Sequence, residues 1–141
     1  MSRPKRSDIA LTIGLCGSLS AVALIIFGDT AALDETWINH FGLVFFAGIG
    51  AWLSGLLVGG MFGHSGWQGW IVAAIGAVLA TQLGALIAGT FVLPVFGSLM
   101  APIILTTEAI DHPSLLITWA VIMSGLHILV LKSVGERVSK G

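Results

Sequence analysis

Four long runs of apolar residues, separated by short polar segments, dominate this sequence and predict four membrane-spanning helices. The runs cover about residues 9–27, 41–62, 69–91 and 115–131. A helix rises ~1.5 Å per residue, so a hydrocarbon core of ~30 Å needs about 20 residues, which each run roughly supplies. The pattern therefore predicts an all-α integral membrane protein with a single polytopic membrane domain over residues 1–141.

The segment between the third and fourth runs is also apolar. Its interruptions are Pro94, Gly97, Ser98 and Pro102. One helix over residues 69–107 would be ~58 Å long, about twice the core thickness. A fifth crossing would place the C-terminal basic residues outside, against the positive-inside rule. We therefore expect residues 92–107 to form either a re-entrant hairpin or a broken segment along the outer interface, and we favour the second.

The charged residues predict an orientation. The Lys and Arg residues number six and lie at the two ends of the chain: Arg3, Lys5, Arg6, Lys132, Arg137 and Lys140. Such residues are retained on the cytoplasmic side, so both termini are expected inside. With 56% hydrophobic and 9% charged residues, the composition is that of a membrane protein. The small size and compact loops suggest a bacterial inner membrane.

The first run has a second interpretation. Arg3 to Arg6 resemble the charged start of a signal peptide, and Thr30-Ala31-Ala32 resembles a cleavage site. The apolar run is longer than the ~7–15 residues of a typical signal-peptide core. We therefore favour a retained span.

Small residues recur every fourth position on the second and third spans. On the second span they are Ala47, Ala51, Gly55, Gly59 and Gly63. On the third they form two neighbouring rows: Gly76, Ala80, Gly84 and Ala88, beside Ala73, Ala77, Thr81, Ala85 and Gly89. Small residues let helix backbones approach closely in membranes. We predict a tight antiparallel hairpin of these spans, with a surplus small face for the first span or, as we favour, another subunit or self-association.

Polar groups inside the spans are few. No Asp, Glu, Lys or Arg lies within the four runs, which argues against an ion-coupled transporter. Thr81 and Gln82 form the most polar central pair, and we expect Gln82 to hydrogen-bond a neighbouring helix rather than line a pore. His127 lacks a histidine at similar depth that could share a haem. We predict no cofactor, no metal site and no catalytic residue.

A limited resemblance involves the second and third spans. Residues 50–57, Gly-Ala-Trp-Leu-Ser-Gly-Leu-Leu, and Gly76-Ala77-Val78 resemble the small transglycosylase-associated membrane proteins of bacteria. The resemblance covers less than half of the chain, and Ala80-Thr81 stands where that family continues with paired glycines. We carry no function across from it.

Two functions follow from these patterns. The first is a non-enzymatic accessory, assembly or stabilising subunit of a larger membrane complex, which acts through helix packing. The alternative is a small homo-oligomeric channel or permease, including a holin-like pore former, with Gln82 and the segment from Pro94 to Pro102 along its path. Membrane lipid is an expected partner. Nucleic acid is not, because the chain has no basic surface.

Overall fold

The computed structural model describes residues 5–28 and 40–139, with side chains up to Ser133. These residues form five α-helices and no strand. The helices are α1 (Arg6–Phe27), α2 (His40–Val58, continued by a 3-10 turn over Gly59–Met61), α3 (Gly66–Val92), α4 (Phe96–Asp111) and α5 (Pro113–Ser139).

Four of these helices are long and apolar enough to cross a membrane. They are α1, α2 with its 3-10 turn, α3, and the first 21 residues of α5, Pro113–Ser133. The predicted all-α class and the four candidate spans are therefore confirmed. The remaining helix, α4, has 16 residues and is ~24 Å long, which is shorter than a hydrocarbon core of ~30 Å.

The segment 92–107 is less interrupted than the sequence suggests. α3 continues to Val92, a turn follows, and α4 then runs without a break through Pro102. Gly97 is buried against Gly89 of α3, so this glycine serves close helix packing instead of ending the helix. Of the expected interruptions, Pro94 alone lies in the turn.

Close backbone contacts join α1 to α2. A Cβ built on Gly14 would lie 3.0 Å from Trp52 Cβ, and one built on Gly55 would lie 2.9 Å from Ala10 Cα. Ser18 Oγ donates a hydrogen bond to the carbonyl oxygen of Val44 at 3.2 Å. Because lipid tails offer no hydrophobic driving force between helices, such van der Waals contact and hydrogen bonding must hold them together.

The contact between α2 and α3 is equally close. A Cβ built on Gly84 would lie 3.3 Å from Ala51 Cα. Ser54 is completely buried, and its Oγ lies 2.9 Å from the carbonyl oxygen of Ala80. Phe46 and Phe91 stack nearer the other end of the pair, with ring centroids 5.6 Å apart.

Large buried side chains fill the half of the bundle that contains the basic ends of α1 and α5. They include Ile9, Ile13, Val58, Phe62, Leu126 and Val130. Cys16 is a free, buried thiol in the same core. The other half, toward the C-terminal ends of α1 and α4, is packed less completely, and a chamber lies there.

Candidate ligand chamber

All five helices contribute to a chamber of about 600 Å³. Its walls include Ile13, Ser20 and Leu24 from α1, Phe46 and Ala47 from α2, Thr81, Gln82, Ala85 and Ala88 from α3, Met100, Ile104, Thr106 and Glu108 from α4, and Leu115, Trp119 and Met123 from α5. We call this space the chamber.

The chamber exists because small side chains face a space that no large side chain fills. Ala47, Ala85 and Ala88 lie on its walls, and each contributes a single methyl group. α4 contacts α3 closely at Gly89 and Gly97, while Thr106, further along α4, meets Gln82 through the length of the glutamine side chain. The short side chains at these positions therefore leave an open space between the helices.

Two hydrogen bonds between helices hold the polar part of the wall. Trp119 Nε1 on α5 donates to Thr81 Oγ1 on α3 at 3.0 Å, and the Thr81 hydroxyl donates to the carbonyl oxygen of Ala77 at 2.8 Å. Gln82 Nε2 donates to Thr106 Oγ1 on α4 at 3.0 Å. These bonds fix α3, α4 and α5 around the chamber.

Two further polar groups line the chamber. Ser20 Oγ is buried and has no hydrogen-bond partner among the described residues. Glu108 Oε2 lies 3.4 Å from His112 Nε2, and a Cβ built on Gly28 would lie 3.0 Å from the same oxygen. Glu108 therefore marks the end of the chamber at which α1 terminates, which we call the Glu108 end.

The predicted packing residues all lie at contacts within this chain. Ala47 and Ala51 approach Gly17 of α1, while Gly55 meets Ala10 and Gly59 meets Ile9. On α3, Gly76 lies against Met61, Ala80 against Ser54, Gly84 against Ala51, and Ala88 against Gly50. In the second row of α3, Gly89 contacts α4 and Thr81 is hydrogen-bonded to α5, whereas Ala85 faces the chamber.

The predicted proline positions lie apart from the chamber wall. Pro94 is exposed in the turn before α4. Pro102 lines a shallow groove on the outer surface of α3 and α4, together with Ile103 and Thr107. Gln82 and Thr106 border both spaces, so their hydrogen bond forms part of the partition between the groove and the chamber.

His127 lies near the opposite end of the bundle. It is 1% exposed, and its ring centroid is 4.6 Å from that of Trp70. Gly63 N–H donates to His127 Nδ1 at 3.4 Å, so Nδ1 carries a lone pair and the ring proton belongs to Nε2. Nε2 is buried without a partner among the described residues.

Sequence reasoning missed three chamber residues. Ser20 resembles any small polar residue of a span, Glu108 lies between the predicted third and fourth spans, and no pattern along the chain connects Trp119 to Thr81. Asp34 and Glu35 lie outside the described residues. Among those described, no group of three or more His, Cys, Asp or Glu side chains could hold a metal ion.

No protein-family model, no curated protein and no solved structure matches this chain.

Proposed function

We propose that this protein is a non-enzymatic membrane protein that binds an apolar, lipid-like molecule in the chamber. The observation that carries this proposal is an apolar space of about 600 Å³ bounded by all five helices. Ligand sites typically measure ~300–1,000 Å³ and combine apolar walls with a few polar groups. The chamber has both properties.

The chemistry of the walls supports an apolar occupant over water. A space of about 600 Å³ corresponds to roughly 20 water molecules at ~30 Å³ each. A buried water needs two to four polar partners, and the walls offer few beyond Ser20, Thr81, Gln82 and Glu108. A hydrocarbon ligand can contact apolar walls without leaving hydrogen bonds of its own unmade, whereas water cannot.

The shape supports a chain-like ligand. On α1, the lining residues extend from Ile13 to Leu24, which corresponds to ~16 Å along the helix axis. An alkyl or isoprenoid chain lying along this wall would have its tail near Ile13 and Met123. Its more polar end would then lie at the Glu108 end.

These observations favour the permease branch of the sequence-based alternatives, in the form of a carrier or binding protein for amphiphiles. An ion path needs water or polar groups along its length, whereas aliphatic and aromatic side chains dominate these walls. A catalytic role has less support, because the lining residues that the structure describes include no His, Cys or Lys beside Ser20.

The accessory-subunit hypothesis remains a second proposal with less support. It was based on surplus small faces, and most of those small residues contact other helices of the same chain or face the chamber. A partner would instead have to contact lipid-facing residues such as Phe41 and Phe45, which are 77% and 53% exposed and stacked on each other. Extraction of a tagged copy in mild detergent, followed by identification of stoichiometric partners, tests this role.

We further propose that both termini are cytoplasmic, that α2 and α3 form a tight antiparallel hairpin, and that the host membrane is a bacterial inner membrane. The support is the restriction of Lys and Arg to the two ends of the chain and the close contacts of Gly84 with Ala51. A topology reporter fused after Gly141 should read as cytoplasmic, and an external reading would overturn the orientation.

Chamber binding is tested with a brominated alkyl probe, because bromine quenches the fluorescence of a nearby indole. The full chain, with Trp119 as its sole tryptophan, is placed in nanodiscs of phosphatidylcholine and titrated with a bromoalkane. A chamber site predicts saturable quenching. Quenching that rises in simple proportion to probe, as expected from bulk lipid, would contradict the proposal.

A matched pair of variants separates the chamber from the lipid surface. Ala85→Phe places a ring into the chamber and should abolish saturable quenching, because Ala85 lines it. Ala74→Phe makes the same change on an exposed position of α3 and should leave quenching intact. Equal quenching in the two variants would show that the quenching comes from probe dissolved in the bilayer and not from probe in the chamber.

A further inference from the structure

We propose that the chamber ligand is an amphiphile with a cationic head group, and that Glu108 holds this head group; the inference rests on the proposed function. Glu108 would then determine which head groups the chamber accepts, while the apolar walls accept the chain.

The charge of the chamber walls favours one sign of head group. Glu108 is the one residue with a formal charge among the described residues that line the chamber. Its side chain is 18% exposed, so it is partly withdrawn from solvent. Electrostatic interactions strengthen as the surroundings become less polar, and a carboxylate here selects the charge of whatever lies beside it.

The basic residues of the sequence lie near its two ends, far along the chain from Glu108. Every Lys and Arg of the sequence precedes Ser7 or follows Leu131. α1 places its 22 residues, or ~33 Å of helix, between Arg6 and Gly28, which adjoins Glu108. An anionic head group at Glu108 would therefore meet a carboxylate without a compensating side chain from Lys5, Arg6 or Lys132, the Lys and Arg residues whose side chains the structure describes.

The helix termini at the Glu108 end contribute partial charges of both signs. Helix C-termini, which attract cations, and helix N-termini, which repel them, meet here: α1 and α4 end, and α5 begins. Their partial charges oppose one another, so the formal charge of Glu108 sets the sign. His112 Nε2 lies 3.4 Å from Glu108 Oε2 and is charged only when protonated.

The geometry then assigns each part of the ligand a place. An ammonium group beside Glu108 lies at the end of the chamber that adjoins Gly28, and its chain extends along α1 toward Ile13. The Ser20 hydroxyl, which lacks a partner among the described residues, lies between these points. A phosphate or carboxylate head in the same place would be repelled.

The test compares three probes with the same brominated undecyl chain and different head groups: trimethylammonium, hydroxyl and carboxylate. They are titrated at pH 8 into the sole-Trp119 chain in phosphatidylcholine nanodiscs. We expect the ammonium probe to bind about tenfold or more tightly than the carboxylate probe, with the alcohol between them. Native mass spectrometry of the chain with all its tryptophans gives a second measurement that needs no substitution.

Variants then assign the selectivity to one carboxylate. Glu108→Gln keeps the size and hydrogen-bonding capacity of the side chain and should remove most of the difference between ammonium and carboxylate probes. Asp111→Asn removes an exposed charge from the same helix end and should leave that difference intact. If Asp111→Asn has the larger effect, the selectivity comes from the surface and Glu108 is not its source.

The outcomes distinguish this inference from the function on which it rests. Saturable binding of all three probes with equal affinity would retain the chamber and overturn the cationic head group, as would tighter binding of the carboxylate. If none of the three probes binds saturably, the proposal that the chamber binds a ligand is itself overturned. The head-group comparison on the unsubstituted Glu108 chain decides the matter even if Glu108→Gln does not fold.

Discussion

Ser54 Oγ on α2 lies 2.9 Å from the carbonyl oxygen of Ala80 on α3, and it is equally far from the carbonyl oxygen of Ala51 on its own helix. The hydroxyl has one proton, so the two carbonyl groups share it or compete for it. Ser54 is 0% exposed and lies beside the chamber wall formed by Ala51 and Ala80. It is therefore a polar link at the contact on which the chamber is built.

Replacement of Ser54 by Ala should destabilise the protein modestly. Interhelical hydrogen bonds in membranes contribute ~0.6 kcal/mol on average and up to ~1.7 kcal/mol, and the Ala80 carbonyl group keeps its place in the helix. Unfolding by denaturing detergent measures the change. Ser65→Ala provides the control, because Ser65 is exposed before α3 and makes no side-chain cap bond. Equal stability of the two variants would show that the Ser54 bond contributes nothing.

Glycine is required at Gly50 by the approach of α3 and is dispensable at Gly125. A Cβ built on Gly50 would collide with the carbonyl oxygen of Gly84, whereas one built on Gly125 has nothing within 4 Å. Gly50→Ala should therefore cost ~1–3 kcal/mol through overpacking, and Gly125→Ala should stabilise α5 by up to ~1 kcal/mol. The free energies of unfolding in detergent check both. Tolerance of Gly50→Ala would mean that α2 and α3 are further apart.

The four candidate spans could be predicted because each depends on a local property, namely a run of apolar residues of sufficient length. α4 was harder, since Gly97 and Pro102 suggest interruptions. What keeps Gly97 helical is its contact with Gly89, which is separated from it in the chain by a turn. A pattern of residue types along the sequence does not contain that contact.

The chamber could not be predicted for a related reason. Its walls come from five helices, and its volume is what remains after they pack. The small side chains of Ala47 and Ala88 are apparent in the sequence, but a pattern of residue types does not tell whether a neighbouring helix, a second chain or a ligand covers them. Thr81 and Gln82 stand out in the sequence because they are polar residues in the middle of a span. Ser20 and Glu108 become candidate site residues only when the structure places them on the chamber wall.

Loss of the His127 imidazole should destabilise the connection between α2 and α3. His127 Nδ1 accepts the Gly63 N–H bond, and an unsatisfied buried donor costs ~1–3 kcal/mol. His127→Phe keeps a ring beside Trp70 and removes the acceptor, but it also removes the buried Nε2–H group that has no partner among the described residues, so we expect a net loss of at most about 1 kcal/mol. Ile128→Phe, at the exposed neighbouring position, is the control. Wild-type stability of His127→Phe would show that Gly63 finds another acceptor.

Val95 adopts φ 67° and ψ −60° in the turn between α3 and α4, and Phe96 N–H bonds to the carbonyl oxygen of Pro94 at 2.8 Å. This is a γ-turn with positive φ, a rare and strained form. Positive φ in a β-branched residue is a genuine outlier. Strain of this kind costs ~1–3 kcal/mol, and glycine relieves it because it has no Cβ.

Val95→Gly should therefore stabilise the protein by about 1 kcal/mol, after allowance for the ~0.5–1 kcal/mol of entropy that an ordered glycine loses. Val121→Gly makes the same change in the middle of α5, where Val121 is 66% exposed against 75% for Val95, and should destabilise by about 0.5 kcal/mol through helix propensity. Thermal unfolding in detergent compares the two. Both residues are exposed, so a gain in stability for Val95→Gly and a loss for Val121→Gly would show that the gain comes from the backbone conformation of Val95. A loss of stability in both variants would refute the strained turn.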